Sequence, residues 1–282
     1  MNDIFERKMQ KKNRKKTGCG CVVAALLLFL LFRTALDDSL VLREYTVESS
    51  LVTAAHTYVV LTDLHSTYYG ASQKELAAEI MRCEPEAVFL VGDIADDKEE
   101  RQFTGTAELL GQIAEQYPCY YVTGNHERWL DYTDDIHALF ASYGVTVLRG
   151  DSADLGDNIR LCGLDDPLFY ADREAFLSAL EAMPVSDDTF DILLSHRPEY
   201  AEIYAACGFD LTLSGHAHGG QVRIPLLLNG LYAPNQGWFP EYAGGRYEIG
   251  DSTLIVSRGL MLDDLPRVFN RPEIVVVHVV GN

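Results

Sequence analysis

Thr57-Tyr-Val-Val-Leu-Thr-Asp-Leu-His65 is an apolar, β-branched run that ends in an aspartate and a histidine two residues apart. Val and Tyr are favoured on a pleated, half-buried surface, so Thr57–Leu61 reads as a strand whose carboxyl end carries the polar pair. The same juxtaposition recurs four times along the chain. Ala87–Val91 leads to Gly92-Asp93, and Cys119–Val122 leads to Gly124-Asn125-His126-Glu127. Ile192–Leu194 leads to His196, and Leu211–Leu213 leads to Gly215-His216-Ala217-His218. Groups at the carboxyl ends of neighbouring strands share one crevice in α/β folds, so five distant segments are expected to meet in space.

Working outward, helical spacing marks Ser72–Arg82, Thr106–Gln116, Asp134–Ser142, Asp172–Met183 and a short segment at Glu199–Ala206. Leu40–Glu48, Val145–Leu148 and Ile159–Gly163 read as further strands, and Arg246–Ile249, Thr253–Val256 and Ile274–Val280 make a strand-rich end. Alternation followed by strands predicts an α/β domain of two packed sheets flanked by helices. At 282 residues and 48% hydrophobic, the chain can bury one large core and carries no bias towards disorder.

Charge is uneven. Residues 1–36 contribute +6 to the net −19, leaving −25 on residues 37–282, with 15 basic and 40 acidic side chains. Such a surface repels polyanions, which argues against long nucleic acid as a partner. Arg7, Lys8, Lys11, Lys12, Arg14, Lys15 and Lys16 precede an uncharged run from Gly18 to Phe32, with Arg33 next. Basic residues before an apolar run predict a cytoplasmic tail at 1–17 and a single transmembrane signal-anchor at 18–36. Residues 37–56 are then a linker and first strand, and 57–282 a domain outside the cytoplasm at the cell membrane. A cleaved signal peptide is the alternative, although Thr34-Ala35-Leu36 lacks a small-x-small site. An acidic domain is expected to stand off from an anionic bilayer. Cys83, Cys119, Cys162 and Cys207 form no C-x-x-C and permit two disulfides without showing them.

The five polar segments hold carboxylate, amide and imidazole groups, a donor set that suits Mn, Fe, Zn or Co rather than Ca. Asp63 and His65, like His216 and His218, are two apart and can point to one side of a strand end. Asp93, following Gly92 at a tight turn, can offer both oxygens to two ions. A lone Asp-x-His or Gly-Asp is usually just a turn. All five in this order spell a two-metal site, one established way to attack phosphorus.

With Gly215-His-Ala-His-Gly-Gly-Gln-Val-Arg-Ile-Pro225, Val256-Ser-Arg-Gly-Leu260 and Arg271-Pro-Glu273, the chain resembles the calcineurin-like metallophosphoesterases from about Thr57 onward. Within them it is similar to a membrane-associated bacterial branch of YkuE-like and YaeI-like enzymes. The resemblance implies a four-layer αββα sandwich and two divalent ions. One ion would be held by Asp63, His65 and His218, the other by Asn125, His196 and His216, with Asp93 bridging. It also implies that His126 gives a proton to the leaving oxygen and that Asp96 orients His126. A hydroxide shared by the ions would attack phosphorus in line. Arg197, Arg223 and Arg258 flank the motifs and can hold substrate phosphate, the alternative being ordinary surface ion pairs.

The leading expectation is a membrane-anchored phosphoesterase that cleaves phosphate ester or pyrophosphate bonds in small phosphorylated, lipid-linked or cell-envelope substrates. A phosphodiesterase on small nucleotides is the second reading. A catalytically silent metal-binding scaffold is the third, and it is disfavoured because no expected ligand is missing.

Overall fold

The structure, a computed structural model, describes residues 22–96, 103–130, 133–262 and 265–282. Two six-stranded mixed sheets make its centre. In the first sheet the order is β1 (Val41–Ser49), β14 (Glu273–Gly281), β2 (Ala55–Leu61), β3 (Ala87–Val91), β4 (Cys119–Val122) and β5 (Thr146–Val147). In the second it is β12 (Gly245–Ile249), β13 (Ser252–Val256), β9 (Leu211–Ser214), β8 (Phe190–Leu194), β7 (Ile159–Gly163) and β6 (Asp151–Gly156). Strands β2 to β5 run parallel in one sheet and β13, β9, β8 and β7 in the other, so their carboxyl ends point the same way within each sheet.

Period-two alternation sorts the strand side chains between faces. Tyr58 and Val60 of β2 with Phe89 and Val91 of β3 face Ile192, Leu194, Leu211 and Leu213 of the second sheet. The intervening Val59, Leu61, Val88 and Leu90 face outward against Leu76 and Ile80 of helix Lys74–Arg82 and Leu109 and Ile113 of helix Thr104–Ile113. Beyond the second sheet, Cys162 and Leu193 pack on Phe176, Leu180 and Tyr204 from helices Arg173–Glu181 and Ala201–Ala206. Three apolar layers therefore separate helices, sheet, sheet and helices. Parallel strands buried on both faces explain the continuous apolar runs read above.

Residues 22–35 are helical, and Leu26–Phe32 are exposed around the whole helix. Among the described residues no helix is long and apolar enough to cross a membrane. The basic tail and the first residues of the apolar run lie outside the described residues. The domain cysteines Cys83, Cys119, Cys162 and Cys207 are free thiols rather than disulfides.

Candidate metal centre

The five strand-end segments converge. Loops after β2 and β3 are stitched by main-chain bonds from Asp63 N to Gly92 O (3.0 Å), His65 N to Asp93 O (2.9 Å) and Ser66 N to Ile94 O (3.0 Å). His216 N donates to Asp63 Oδ1 at 3.0 Å, and His126 N to Asp93 Oδ1 at 2.8 Å. Close approach demands glycine at two points: a Cβ on Gly92 would lie 2.4 Å from His196 Nδ1, and one on Gly124 only 2.2 Å from Asp93 Oδ1.

Asp63 and His65 were expected at an extended strand end, but both are left-handed, with φ of 50° and 47°. Asp93, His216 and His218 share that conformation at 52°, 64° and 47°. A side chain there costs on the order of 1 kcal/mol, least for Asp, Asn and His. Five such residues at one spot are over-determined by their surroundings, as at functional sites.

Three clusters have ligand atoms within 4.8 Å of one another and can hold a metal ion: Asp63, His65 and His218; His65, Asp93 and His126; and Asp93, His196 and His216. His65 Nδ1 and Nε2, Asp93 Oδ2, Asn125 Oδ1, His196 Nε2 and His218 Nδ1 are buried and make no hydrogen bond among the described residues. Buried polar atoms are nearly always satisfied, so lone pairs converging unpaired fit divalent cations as their missing partner. His196 Nδ1 donates to Val91 O at 2.9 Å, which leaves Nε2, 3.0 Å from Asp93 Oδ2, as the nitrogen facing the site.

The electrostatics agree. Burial, helped by neighbouring His196 and Arg197, pushes His216 down to about 3, and burial takes His218 down to about 4, so both stay neutral as ligation needs. Burial also opposes charge on His196, but Asp93 and Asp63 beside it prevail and raise it to about 10. Burial alone would raise Asp93, yet the adjacent His196 holds it well below the usual carboxylate range. Two fully buried carboxylates thus draw positive charge to this spot.

Glu127 has a part that motif reading missed. Fully buried, it accepts hydrogen bonds from the amides of Asp93 (2.9 Å), Ile94 (2.8 Å), Ala95 (3.0 Å) and Gly124 (2.7 Å), locking the β3 and β4 loops together. Burial and the charge of Asp93 push its carboxyl up to about 7. Its place three residues after Gly124, the capping-box position, was the available signal.

The clusters open into a cleft of about 280 Å³ lined by Asp93, Asn125, His126, Trp129, Leu168, Arg197, His216, His218, Pro234 and Asn235. His126 stacks edge-on against Trp129, with ring centres 4.7 Å apart, and its Nδ1 lies 3.7 Å from buried Asp96 Oδ1. Asp96 Oδ1 is also 3.6 Å from His65 Nδ1. Arg197 lines the cleft, gripped by Asp166 at 2.6 and 3.1 Å, and its Nη1 donates to Asn235 Oδ1 at 2.7 Å. Asn235 Oδ1 also meets His216 Nε2 at 2.9 Å, and nothing in the sequence around Asn235 marks it. Arg223 and Arg258, expected as phosphate clamps beside the motifs, do not line the cleft. Arg258 is drawn away by buried Glu273, Nε to Oε2 at 2.6 Å, and Arg223 by Asn229.

Comparison with known proteins bears on the kind of enzyme. YkuE of Bacillus subtilis, an uncharacterized metallophosphoesterase, is 31% identical over 83% of both chains. The bovine transmembrane protein with metallophosphoesterase domain is 31% identical over 77% of this chain, which spans 51% of it. Phosphodiesterase YaeI of Escherichia coli is 26% identical over 70% of this chain and 71% of its own. TT1561 of Thermus thermophilus, 12% identical, superposes with a TM-score of 0.50 over 73% of this chain and 90% of that one, a likeness of fold alone. Residues 56–220, which carry all five motifs, match the calcineurin-like phosphoesterases, and this chain belongs to that family of phosphoester-cleaving enzymes.

Proposed function

We propose that this chain is a membrane-anchored, two-metal phosphoesterase acting on small phosphorylated or lipid-linked substrates. The observation that supports two metals is the set of buried, unpaired donor atoms on residues from five strand ends. Asp63, His65 and His218 would hold one ion and Asn125, His196 and His216 the other, with Asp93 between them. Mn, Zn, Fe or Co held there would acidify a water and offset charge on the phosphoryl oxygens.

The chain's own groups supply the rest. His126, about a quarter exposed at the cleft, hands a proton to the leaving oxygen, and Asp96 beside it aims the ring. Arg197, fixed by Asp166 and lining the same cleft, would offer its guanidinium charge to the phosphate. Trp129, Leu168 and Pro234 restrict water around the reacting group. The anchor reading rests on the basic residues before the apolar run, on the exposed apolar helix at 22–35 and on the name of the bovine relative. It places the amino terminus in the cytoplasm and the domain outside it.

The test is metal content and hydrolysis by the full chain in detergent, stripped and then reloaded with Mn, Zn, Fe or Co. About two ions per chain with metal-restored hydrolysis are expected. Failure to bind metal under any loading would overturn the reading. His126→Ala should keep its metals yet lose ~10²–10⁴-fold in turnover, and unchanged turnover would remove its role. YaeI is named a phosphodiesterase, which favours diesters over monoesters here as well. Bis-p-nitrophenyl phosphate set against p-nitrophenyl phosphate decides between them.

A further inference from the structure

A second pocket, of about 510 Å³, shares no lining residue with the metal cleft and is lined by Arg43, Arg223, Arg258, Phe269 and the loop from Ile224 to Asn229. Its charge runs against that of the domain. Of its three guanidinium groups only two reach a carboxylate, the fully buried Glu273, which Arg258 grips at 2.6 and 2.5 Å and Arg43 approaches only to 3.9 Å. Arg223 meets no carboxylate among the described residues; its bonds go to Gly219 O and to Asn229. Two positive charges therefore stand uncompensated in a segment that carries −25.

The rim is as unusual as the floor. Leu226 is fully exposed and Leu227 is 84% exposed, at the tip of a turn closed by bonds from Leu227 and Leu228 to Ile224 O. No part of the described chain covers them. The pocket is also tied to the end of the apolar helix. Arg223 N bonds Val268 O at 2.9 Å, and the next residue, Phe269, donates its N–H to Ala35 O at 2.6 Å. Arg271 then holds Ser39 and Leu40, which leaves little slack between helix and pocket.

From this juxtaposition we infer that the pocket seats the headgroup of an anionic membrane phospholipid, with Leu226 and Leu227 dipping into the bilayer interface. The inference rests on the anchor reading, since a helix inserted in the bilayer brings this wall level with the membrane surface. Arginine forks suit phosphate oxygens, and a lipid phosphate delivered with its acyl chains matches a cationic floor beside an apolar rim. The domain would then stand off from the bilayer through its acidic faces but touch it here, with the metal cleft held in one orientation.

The experiment uses the full chain in vesicles of phosphatidylcholine, with or without phosphatidylglycerol, and follows the fluorescence that Leu227→Trp adds. Brominated acyl chains should quench that added emission, and phosphatidylglycerol should deepen the quenching. Arg43→Gln combined with Arg223→Gln should abolish the deepening, its metal content serving as the check on folding. Leu226→Trp repeats the measurement at the tip of the same turn. A chain that floats with the vesicles while its added emission stays unquenched overturns this inference and leaves the anchor standing. A chain that does not float with them overturns both. Quenching indifferent to phosphatidylglycerol overturns the headgroup site. Loss of the deepening on adding inorganic phosphate reassigns the pocket to a soluble anion.

Discussion

Glu127 shows how much of a candidate metal centre rests on a residue outside its ligand clusters. One carboxylate answers four main-chain amides from two loops. Glu127→Ala would leave those amides buried and unpaired, and the expected loss is roughly 3–5 kcal/mol of stability, read by urea denaturation with and without metal. A loss under 1 kcal/mol would mean that water replaces the carboxylate freely. The convergence of Asp63, His65, Asp93, Asn125, His196, His216 and His218 was legible because Asp, Asn and His at strand ends have few other reasons to cluster. Their left-handed backbone was not, since that conformation is imposed by contacts between loops. Asn235 was illegible for a different reason: it reaches His216 through an irregular hairpin that carries no periodic signal.

Among the elements, strands β2, β3, β4, β8 and β9 stood close to where the apolar runs placed them, because buried parallel strands need continuous apolar sequence. Strand β6 escaped notice, as Asp151-Ser-Ala-Asp-Leu-Gly156 is an exposed edge whose pairing comes from its neighbour β7. Strands β10 (Tyr232–Ala233) and β11 (Gly237–Trp238), two residues each, are too short to leave a pattern. His278 of β14 is half-buried and bonded to Thr57 Oγ1 at 3.0 Å. Between elements, His56 of β2 joins Glu86 at 2.8 Å and Asp157 of the β6–β7 turn at 3.0 Å. Burial alone would lower His56, but these two carboxylates outweigh it and raise it. A raised imidazole stabilises the fold fully below its unfolded value of about 6.5, and the gain fades as pH climbs through the folded value. The melting temperature of wild type should therefore exceed that of His56→Gln at pH 6 and converge with it in alkaline buffer. A gap that widens with pH would contradict the sign.

For the whole molecule, metal binding is expected to be coupled to folding. Asp63 and Asp93 are buried together at a point where both sheets end, and cations bound there would supply the charge that reconciles them. Saturation at a hundred times the dissociation constant should stabilise the protein by about 2.7 kcal/mol for each site filled, seen as a rise in melting temperature on adding metal to stripped chain. No rise would separate ion binding from folding. Net charge, the one property of the whole chain that sequence gives directly, averaged away the cationic pocket, because Arg43, Arg223 and Arg258 meet only through β1, β14 and two loops. The pairing of β1 with β14 has a consequence for how the protein is made. Val41 lies opposite Glu273 and Ser49 opposite Gly281, partners about 230 residues apart. Ribosomes add about 5–20 residues each second, so β1 waits on the order of ten seconds or more with its edge unpaired. His218 is synthesised well before β14, yet β2, which carries Asp63 at its end, lies between β14 and β3. The nascent site is thus spelled out long before its sheet can close, and a chaperone that shields the first strand has that interval in which to act.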